Sequence, residues 1–118
     1  MSLEADFTQL IMMLCPRITP DVADVGTQTP YVIWEQVGGT SLRFLDGTAA
    51  DKRRAEIQFT VWHTTRGAAN ALMLQIEDLL CTSTATLQAQ PLGGLGAGFD
   101  DADELKGAVM SFSIWGAR

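Results

Sequence analysis

The chain has 118 residues, 47% of them hydrophobic, which suits one globular domain and excludes an intrinsically disordered chain. Fourteen acidic residues against eight basic ones give a net charge of −6, which argues against duplex DNA or an anionic membrane as the main partner, because both require a basic surface. The first ten residues are acidic where a signal peptide would be basic, and Cys15 and Cys81 are far apart, so we expect a cytoplasmic protein with two free thiols.

Apolar residues at helical spacing predict a first helix near the amino terminus. They are Leu3, Phe7, Leu10, Ile11 and Leu14. Ser2 is placed to cap this helix, and Pro16 is expected to end it. The next stretch, residues 16–30, contains three prolines and predicts a connector between elements. The one part of it that could form a strand is residues 22–25.

Four strands and a second helix are predicted along the rest of the chain. β-Branched and aromatic residues predict a strand at 31–37, which the pair Gly38-Gly39 breaks or bulges. An extended arm at 41–45 and a turn at Asp46-Gly47 lead into a long strand at 52–63.

Thr64 or Thr65 caps the second helix, which ends near Cys81. The expected inner face of that helix is formed by Ala68, Leu72, Ile76, Leu79 and Leu80. A weak edge strand at 85–90, a glycine-rich and acidic loop at 91–104 and an alternating strand at 105–116 complete the chain.

This order of elements predicts an α+β fold. We expect a two-layer sandwich in which a mainly antiparallel sheet of about four strands carries two helices packed on one face. The strands and helices do not alternate for long enough to build a doubly wound fold, and the sequence contains no internal repeat.

His63 is the only histidine and the natural candidate for a catalytic base. Strand alternation places it on the same face as Phe59 and Val61, at the end of an apolar row. The sequence offers no GxSxG motif, no paired cysteine motif and no second histidine to complete a reactive site. We therefore interpret His63 as the last residue of a strand and predict no catalytic residue.

Two other stretches resemble ligand-binding loops and fail on their spacing. The acidic residues 100–104 would need a glycine where Lys106 stands to form an EF-hand loop, and Leu105 occupies a ligand position. The glycine-rich residues 93–98 lack the third glycine of a dinucleotide loop, because Phe99 stands there, and no Lys-Ser or Lys-Thr pair follows. The sequence therefore predicts neither a metal nor a cofactor.

The side chains that we single out are candidates for protein–protein contact. Alternation places Trp62 on the polar face of its strand, where a large aromatic side chain indicates coverage by a loop or a partner. Trp34 shares the parity of Val32, whereas Trp115 lies on the more polar face of its strand.

The basic residues at the start of the long strand form either a solvated strand end or a docking patch for an acidic partner, such as a neighbouring copy. The interface candidates are Trp62, Arg43, Lys52, Arg53, Arg54, Asp100, Asp101 and Asp103.

The ordered set of these features resembles one known family, the small tail-completion or tail-terminator proteins of long-tailed phages and prophages. The resemblance covers most of the chain. It lies in the amino-terminal helix, in PDVADVGTQTPYVIWEQVGG (20–39), in the Asp46-Gly47 turn, in RRAEIQFTVWHTT running into AANALMLQIEDLL, and in the closing MSFSIW. Pro-Tyr-Val at 30–32 followed by Gln-Val-Gly-Gly at 36–39 is the most characteristic piece. His63 departs from the family pattern, in which a small residue and then a helix follow the tryptophan.

The resemblance implies a non-enzymatic assembly protein formed by one tail-terminator-like domain over residues 1–118. Such proteins form sixfold rings that cap the tail tube, stop its polymerisation and join the tail to the head connector. The implied partners are further copies of the chain, the tail tube protein and the connector protein, with no cofactor and no membrane. We expect assembly in the cytoplasm of the bacterial host and a final location in the virion tail. DNA would only pass through the lumen, whose negative charge we expect to repel the phosphates.

Two alternative functions stay open at this point. One is a head-side connector or stopper protein of the same class. The other is a small-ligand-binding or hydrolytic α+β domain that uses His63 together with a nearby carboxylate.

Overall fold

Six strands in one mixed sheet and two helices are found in the residues that the computed structural model describes, 2–21, 28–40, 43–48, 51–97 and 105–117. In chain order the elements are α1 (Leu3–Met12), β1 (Ile18–Pro20), β2 (Tyr31–Thr40), β3 (Lys52–His63), α2 (Arg66–Thr82), β4 (Leu87–Pro91), β5 (Gly96–Ala97) and β6 (Lys106–Ala117). The sheet has the order β1-β2-β3-β6-β4, and β5 also pairs with β6. The predicted α+β class is therefore confirmed.

The sheet is mainly antiparallel, as expected, but the expectation of about four strands is wrong in detail. The described sheet has six strands, and β1 runs parallel to β2 while every other described pair is antiparallel. The two strands that the sequence does not predict are the shortest: β1 has three residues in the proline-containing connector and β5 has two in the glycine-rich stretch. Segments this short cannot display the alternation on which strand prediction rests. The alternative strand at 22–25 lies outside the described residues.

Both helices contribute to one core against the inner face of the sheet. Alternate residues of β3 and β6 are buried there, among them Ile57, Phe59 and Phe112. Phe7 of α1 contacts the rings of Trp34 and Phe59 edge-on, at centroid distances of 5.0 and 5.3 Å. These contacts fix α1 against the centre of the sheet.

The second helix is rotated slightly from its predicted orientation. Its buried residues are Ala69, Leu72, Met73, Ile76 and Leu80. Ala68 and Leu79, which we expected inside, are only half-buried. The flexible side chain of Met73 is buried in the core, although helical spacing in the sequence predicted other residues of α2 there.

Both predicted helix caps are present. Ser2 Oγ accepts a hydrogen bond from the backbone N–H of Ala5 at 3.2 Å, and Thr65 Oγ1 accepts one from Ala68 at 3.2 Å. The first helix ends at Met12, ahead of Pro16. The backbone N–H groups of Leu14 and Cys15 still bond to the carbonyl of Ile11, so a turn continues the helix towards the proline.

The long β2–β3 hairpin contains the irregularity that its two glycines predict. The pairing register shifts between Gln36 and Gly38, which leaves Val37 bulged and 53% exposed. The strand then continues to Thr40, further than the predicted end at Val37. A Cβ atom added at Gly39 would lie 2.7 Å from the carbonyl oxygen of Arg54 on the opposite strand, so the two backbones approach too closely there for a side chain.

An ion pair ties the start of α1 to the start of β3. The Arg53 guanidinium donates a hydrogen bond to the Glu4 carboxylate. Partial burial by itself raises the pKa of Glu4, but this hydrogen bond, the positive charge of Arg53 and the helix backbone outweigh it, so the pKa lies below its ordinary value of 4.5. The ion pair also means that Arg53 is not a free positive charge.

The two glycines of the bulge are expected to differ in their tolerance of a side chain. Gly39→Ala should lower the free energy of unfolding by about 2 kcal/mol, because its Cβ meets a backbone carbonyl that is fixed in the sheet. Gly38→Ala is the matched control: its Cβ would meet only the end of the Glu56 side chain, which can turn away, at a cost below about 1 kcal/mol. Urea denaturation measures both, and equal losses would contradict the close approach at Gly39.

The Glu4–Arg53 pair should contribute stability that depends on pH. Because the folded-state pKa of Glu4 is lowered, its contribution is present above the unfolded value and is lost as the pH falls through the folded value. Glu4→Gln should therefore lower the free energy of unfolding at neutral pH, by less than about 1 kcal/mol for this partly exposed pair, and the two stability curves should converge in acid. Substitution of the exposed Glu35 by Gln is the control, and a pH-independent loss from Glu4→Gln would refute the assignment.

Candidate interaction surface

The outer face of the sheet, opposite the helices, presents polar and aromatic side chains. Trp62 lies on this face, half-buried, opposite Tyr31 of β2 and Gly107 of β6. Strand alternation thus places Trp62 as predicted, and Tyr31 beside it is only 9% exposed. That Trp62 contacts a partner stays a prediction.

A groove of about 590 Å³ runs along this outer face beside Trp62. Glu35, Gln58, Thr60 and Ser111 supply its polar lining. One wall is formed by residues 92–97, where Leu92 donates a backbone hydrogen bond to Ser111 at 2.9 Å. The connection after β4 therefore covers part of the outer face. Trp62 was expected to be covered by a loop or by a partner, and this connection is such a loop.

The other two tryptophans differ in their surroundings. Trp34 points into the core and packs on Phe7. Trp115 points outward from β6, between Arg54 and Gln88 on the neighbouring strands, and is 42% exposed. Pockets of about 370 and 320 Å³ adjoin it, and both are lined by Thr84 and Gln88. Trp115 is thus the exposed tryptophan of this sheet.

The predicted basic cluster does not form one patch. Strand alternation sends Arg53 towards α1, where it pairs with Glu4, while Arg54 lies on the outer face. Arg54 donates hydrogen bonds to Ser113 Oγ and to Glu56 Oε1, each at 2.8 Å. Lys52 is exposed. Two of the three positive charges are therefore matched within the chain, which weakens the cluster as a docking patch.

Arg43 lies on the tip of the β2–β3 hairpin, residues 43–48, and is exposed. Its guanidinium donates to the Gly47 carbonyl at 3.3 Å. The tip is further ordered by hydrogen bonds between Phe44 and Thr48 and from Gly47 to the Phe44 carbonyl, each 2.9 Å long. Asp46 accepts hydrogen bonds from the side chain and the backbone of Thr48, which lower the pKa of its carboxyl.

Two large apolar side chains lie on this ordered tip. Phe44 is 62% exposed, and Leu45 is fully exposed. The sequence predicts an arm at residues 41–45 but does not mark these two as interface candidates. The available signal was the position of Phe-Leu directly before an Asp-Gly turn, where polar residues are usual.

The carboxyl-terminal part of α2 is acidic. Glu77 and Asp78 lie in its last turns without a basic residue to offset them, and the exposed carbonyls of a helix end add negative potential. Partial burial, together with Glu77 and Asp78, raises the pKa of the Cys81 thiol. Cys81 lines the smaller pocket beside Trp115, so that pocket lies next to a negative helix end.

His63 ends β3 opposite Lys106, in agreement with its prediction as the last residue of a strand. Its Nδ1 atom lies 2.8 Å from the backbone N–H of Thr64, which donates to it, and 3.2 Å from Thr64 Oγ1. These contacts join the end of the strand to the residue before the cap of α2. They position the ring locally, and neither contact is with a carboxylate.

The remaining candidates are the cysteines and the acidic loop. Cys15 is buried, Cys81 is half-buried, and both are free thiols. Within the described ranges, no group of three or more His, Cys, Asp or Glu side chains could hold a metal ion. The helices in those ranges are also too short or too polar to span a membrane. Asp100, Asp101 and Asp103 lie outside the described residues.

Comparison with known proteins gives a family and a fold. The family model described as tail completion protein gp17 matches residues 5–115. The fold is similar to the structure of the gp17 protein of bacteriophage SPP1, with a TM-score of 0.53 and 15% sequence identity over 98% of this chain and 88% of that one. No curated protein sequence matches the chain. Because the family model spans nearly the whole sequence, the chain belongs to the tail completion protein gp17 family.

Proposed function

We propose that this protein is a structural, non-enzymatic component of phage or prophage tails that caps the tail tube as a ring of identical copies and joins it to the head connector. The observation that carries the proposal is the family match over residues 5–115. The protein acts in the virion tail after assembly in the cytoplasm of the bacterial host. Its partners are further copies, the tube protein and the connector protein.

Two surfaces of the chain support a ring. A head-to-tail ring requires two different patches on each copy, because the front of one copy meets the back of the next. The apolar hairpin tip and the surface around Trp115 differ in shape and composition, so the chain offers two such patches.

The charge distribution supports a lumen through which DNA passes without binding. The net charge is −6, and Arg53 and Arg54 are matched by Glu4 and Glu56. Little positive charge is left at the start of β3 to hold phosphates, which bind where unmatched Lys and Arg side chains gather. A ring in which the start of β3 lined the bore and bound DNA would contradict this part of the proposal.

Removal of the protein during phage assembly separates capping from the head-side alternative. Without the protein we expect tails of uncontrolled length that do not join heads, and purified protein should restore joining. Electron microscopy of the particles measures both tail length and attachment. Tails of normal length that fail to join would indicate a connector or stopper on the head side instead.

His63→Ala tests the hydrolytic alternative. Because the contacts of His63 go to Thr64, the substitution should leave assembly and infectivity within about twofold of the wild type, with a small loss of stability. His63→Asn is the matched control, since an amide oxygen can also accept the Thr64 N–H. Loss of infectivity in both variants, with normal folding by circular dichroism, would argue for chemistry at His63.

A further inference from the structure

The hairpin tip at 43–48 combines local order with apolar exposure, which is unusual for a surface turn. Backbone and side-chain hydrogen bonds hold the turn, so Phe44 and Leu45 are presented in a fixed arrangement and do not fold back on the sheet. Leu45 is fully exposed. An apolar side chain held away from its own core stabilises nothing in the monomer, and such a residue is typical of a contact with another molecule.

The surface around Trp115 has the opposite shape. The exposed indole lines two concave pockets of about 370 and 320 Å³, at the end of the sheet where Lys52 pairs with Ala117. No described tip residue lines either pocket. Tryptophans in such positions often supply much of the binding energy of protein interfaces.

Charge favours a match between these two surfaces on different copies. The tip carries one positive and one negative side chain, Arg43 and Asp46, and the hydrogen bonds from Thr48 favour the ionised form of Asp46. The surface around Trp115 also carries both signs: the pocket lined by Cys81 adjoins the acidic end of α2, with Glu77 and Asp78, and the other pocket is lined by Lys52. Arg43 can therefore face the acidic helix end while Asp46 faces Lys52. Two copies that each carry a charge of −6 repel each other overall, so their contact requires a local pairing of this kind.

We infer that the hairpin tip of one copy docks on the Trp115 surface of a second copy, with Phe44 and Leu45 against the indole and its pockets and Arg43 facing the acidic end of α2. The contact is heterologous, since the two surfaces differ. Each copy can therefore bind one neighbour through its hairpin tip and a second neighbour through its Trp115 surface. This inference rests on the proposed ring and assigns the residues at the contact between neighbouring copies.

A disulfide test uses a cysteine that the chain already has. Leu45→Cys places a thiol on the tip, and the native Cys81 lines the receiving pocket. Oxidation of the full-length variant at alkaline pH, which favours ionisation of a thiol whose pKa is raised, should link neighbouring copies. Because every copy carries both thiols, a non-reducing gel should show a ladder that extends beyond the dimer and collapses on reduction.

Two control variants identify the linkage. Leu45→Cys combined with Cys81→Ser should lose the ladder and give at most a dimer through the introduced thiol. Met13→Cys, at a side chain that is 74% exposed at the carboxyl-terminal cap of α1, should give no ladder with Cys81. A dimer alone from Leu45→Cys would indicate a two-fold contact and overturn the heterologous one.

Solution mass and assembled tails distinguish this inference from the proposed function. Leu45→Ser and Arg43→Glu should each raise the concentration needed for assembly by about tenfold, and Glu77→Arg should partly restore assembly of the Arg43→Glu variant.

If rings form without a ladder and these substitutions do not change assembly, the docking site is refuted while the ring stands. A link to the tube or connector protein instead would also refute it. A protein that stays monomeric in solution and on tails would refute the ring itself.

Discussion

The edge-on contacts of Phe7 with Trp34 and Phe59 determine which face of the sheet becomes the core. Phe59 in turn contacts Phe112 at 5.7 Å, so one aromatic row crosses from α1 over β2 and β3 to β6. Strand alternation then leaves no choice about the other face: with Phe59 and Phe112 inside, Trp62 and Trp115 must lie outside. A core contact thereby decides which tryptophans are available to partners.

Elements in which apolar residues recur at helix or strand spacing over many positions could be predicted from the sequence. Alternation over 52–63 predicts the long strand with both of its observed ends, and Thr65 is one of the two predicted caps. The failures have physical causes. β1 and β5 are too short to show alternation and exist because a neighbouring strand offers them a partner. The burial of Met73 in place of Leu79 depends on three-dimensional packing.

The candidate surface was less predictable than the fold, because residues that are neighbours in sequence can have different partners in space. Arg53 and Arg54 form a basic run in the sequence, yet alternation sends them to opposite faces, where each meets a glutamate. Conversely, Phe44 and Leu45 look like ordinary apolar residues near a strand, and only the geometry of the turn shows that they have no core to join. Similar reasoning separates Trp34 from Trp115.

The bulge at Val37 also affects whether the edge of β2 can pair with a strand of another chain. β1 covers only Val32 to Trp34 of β2, and within the described residues the rest of that edge, up to Thr40, has no strand beside it. A straight, open edge invites a strand from any neighbouring chain. The extra residue at Val37 interrupts the regular spacing of N–H and C=O groups, so an incoming strand cannot stay in register. Addition of a strand from another chain is thereby disfavoured along this part of β2.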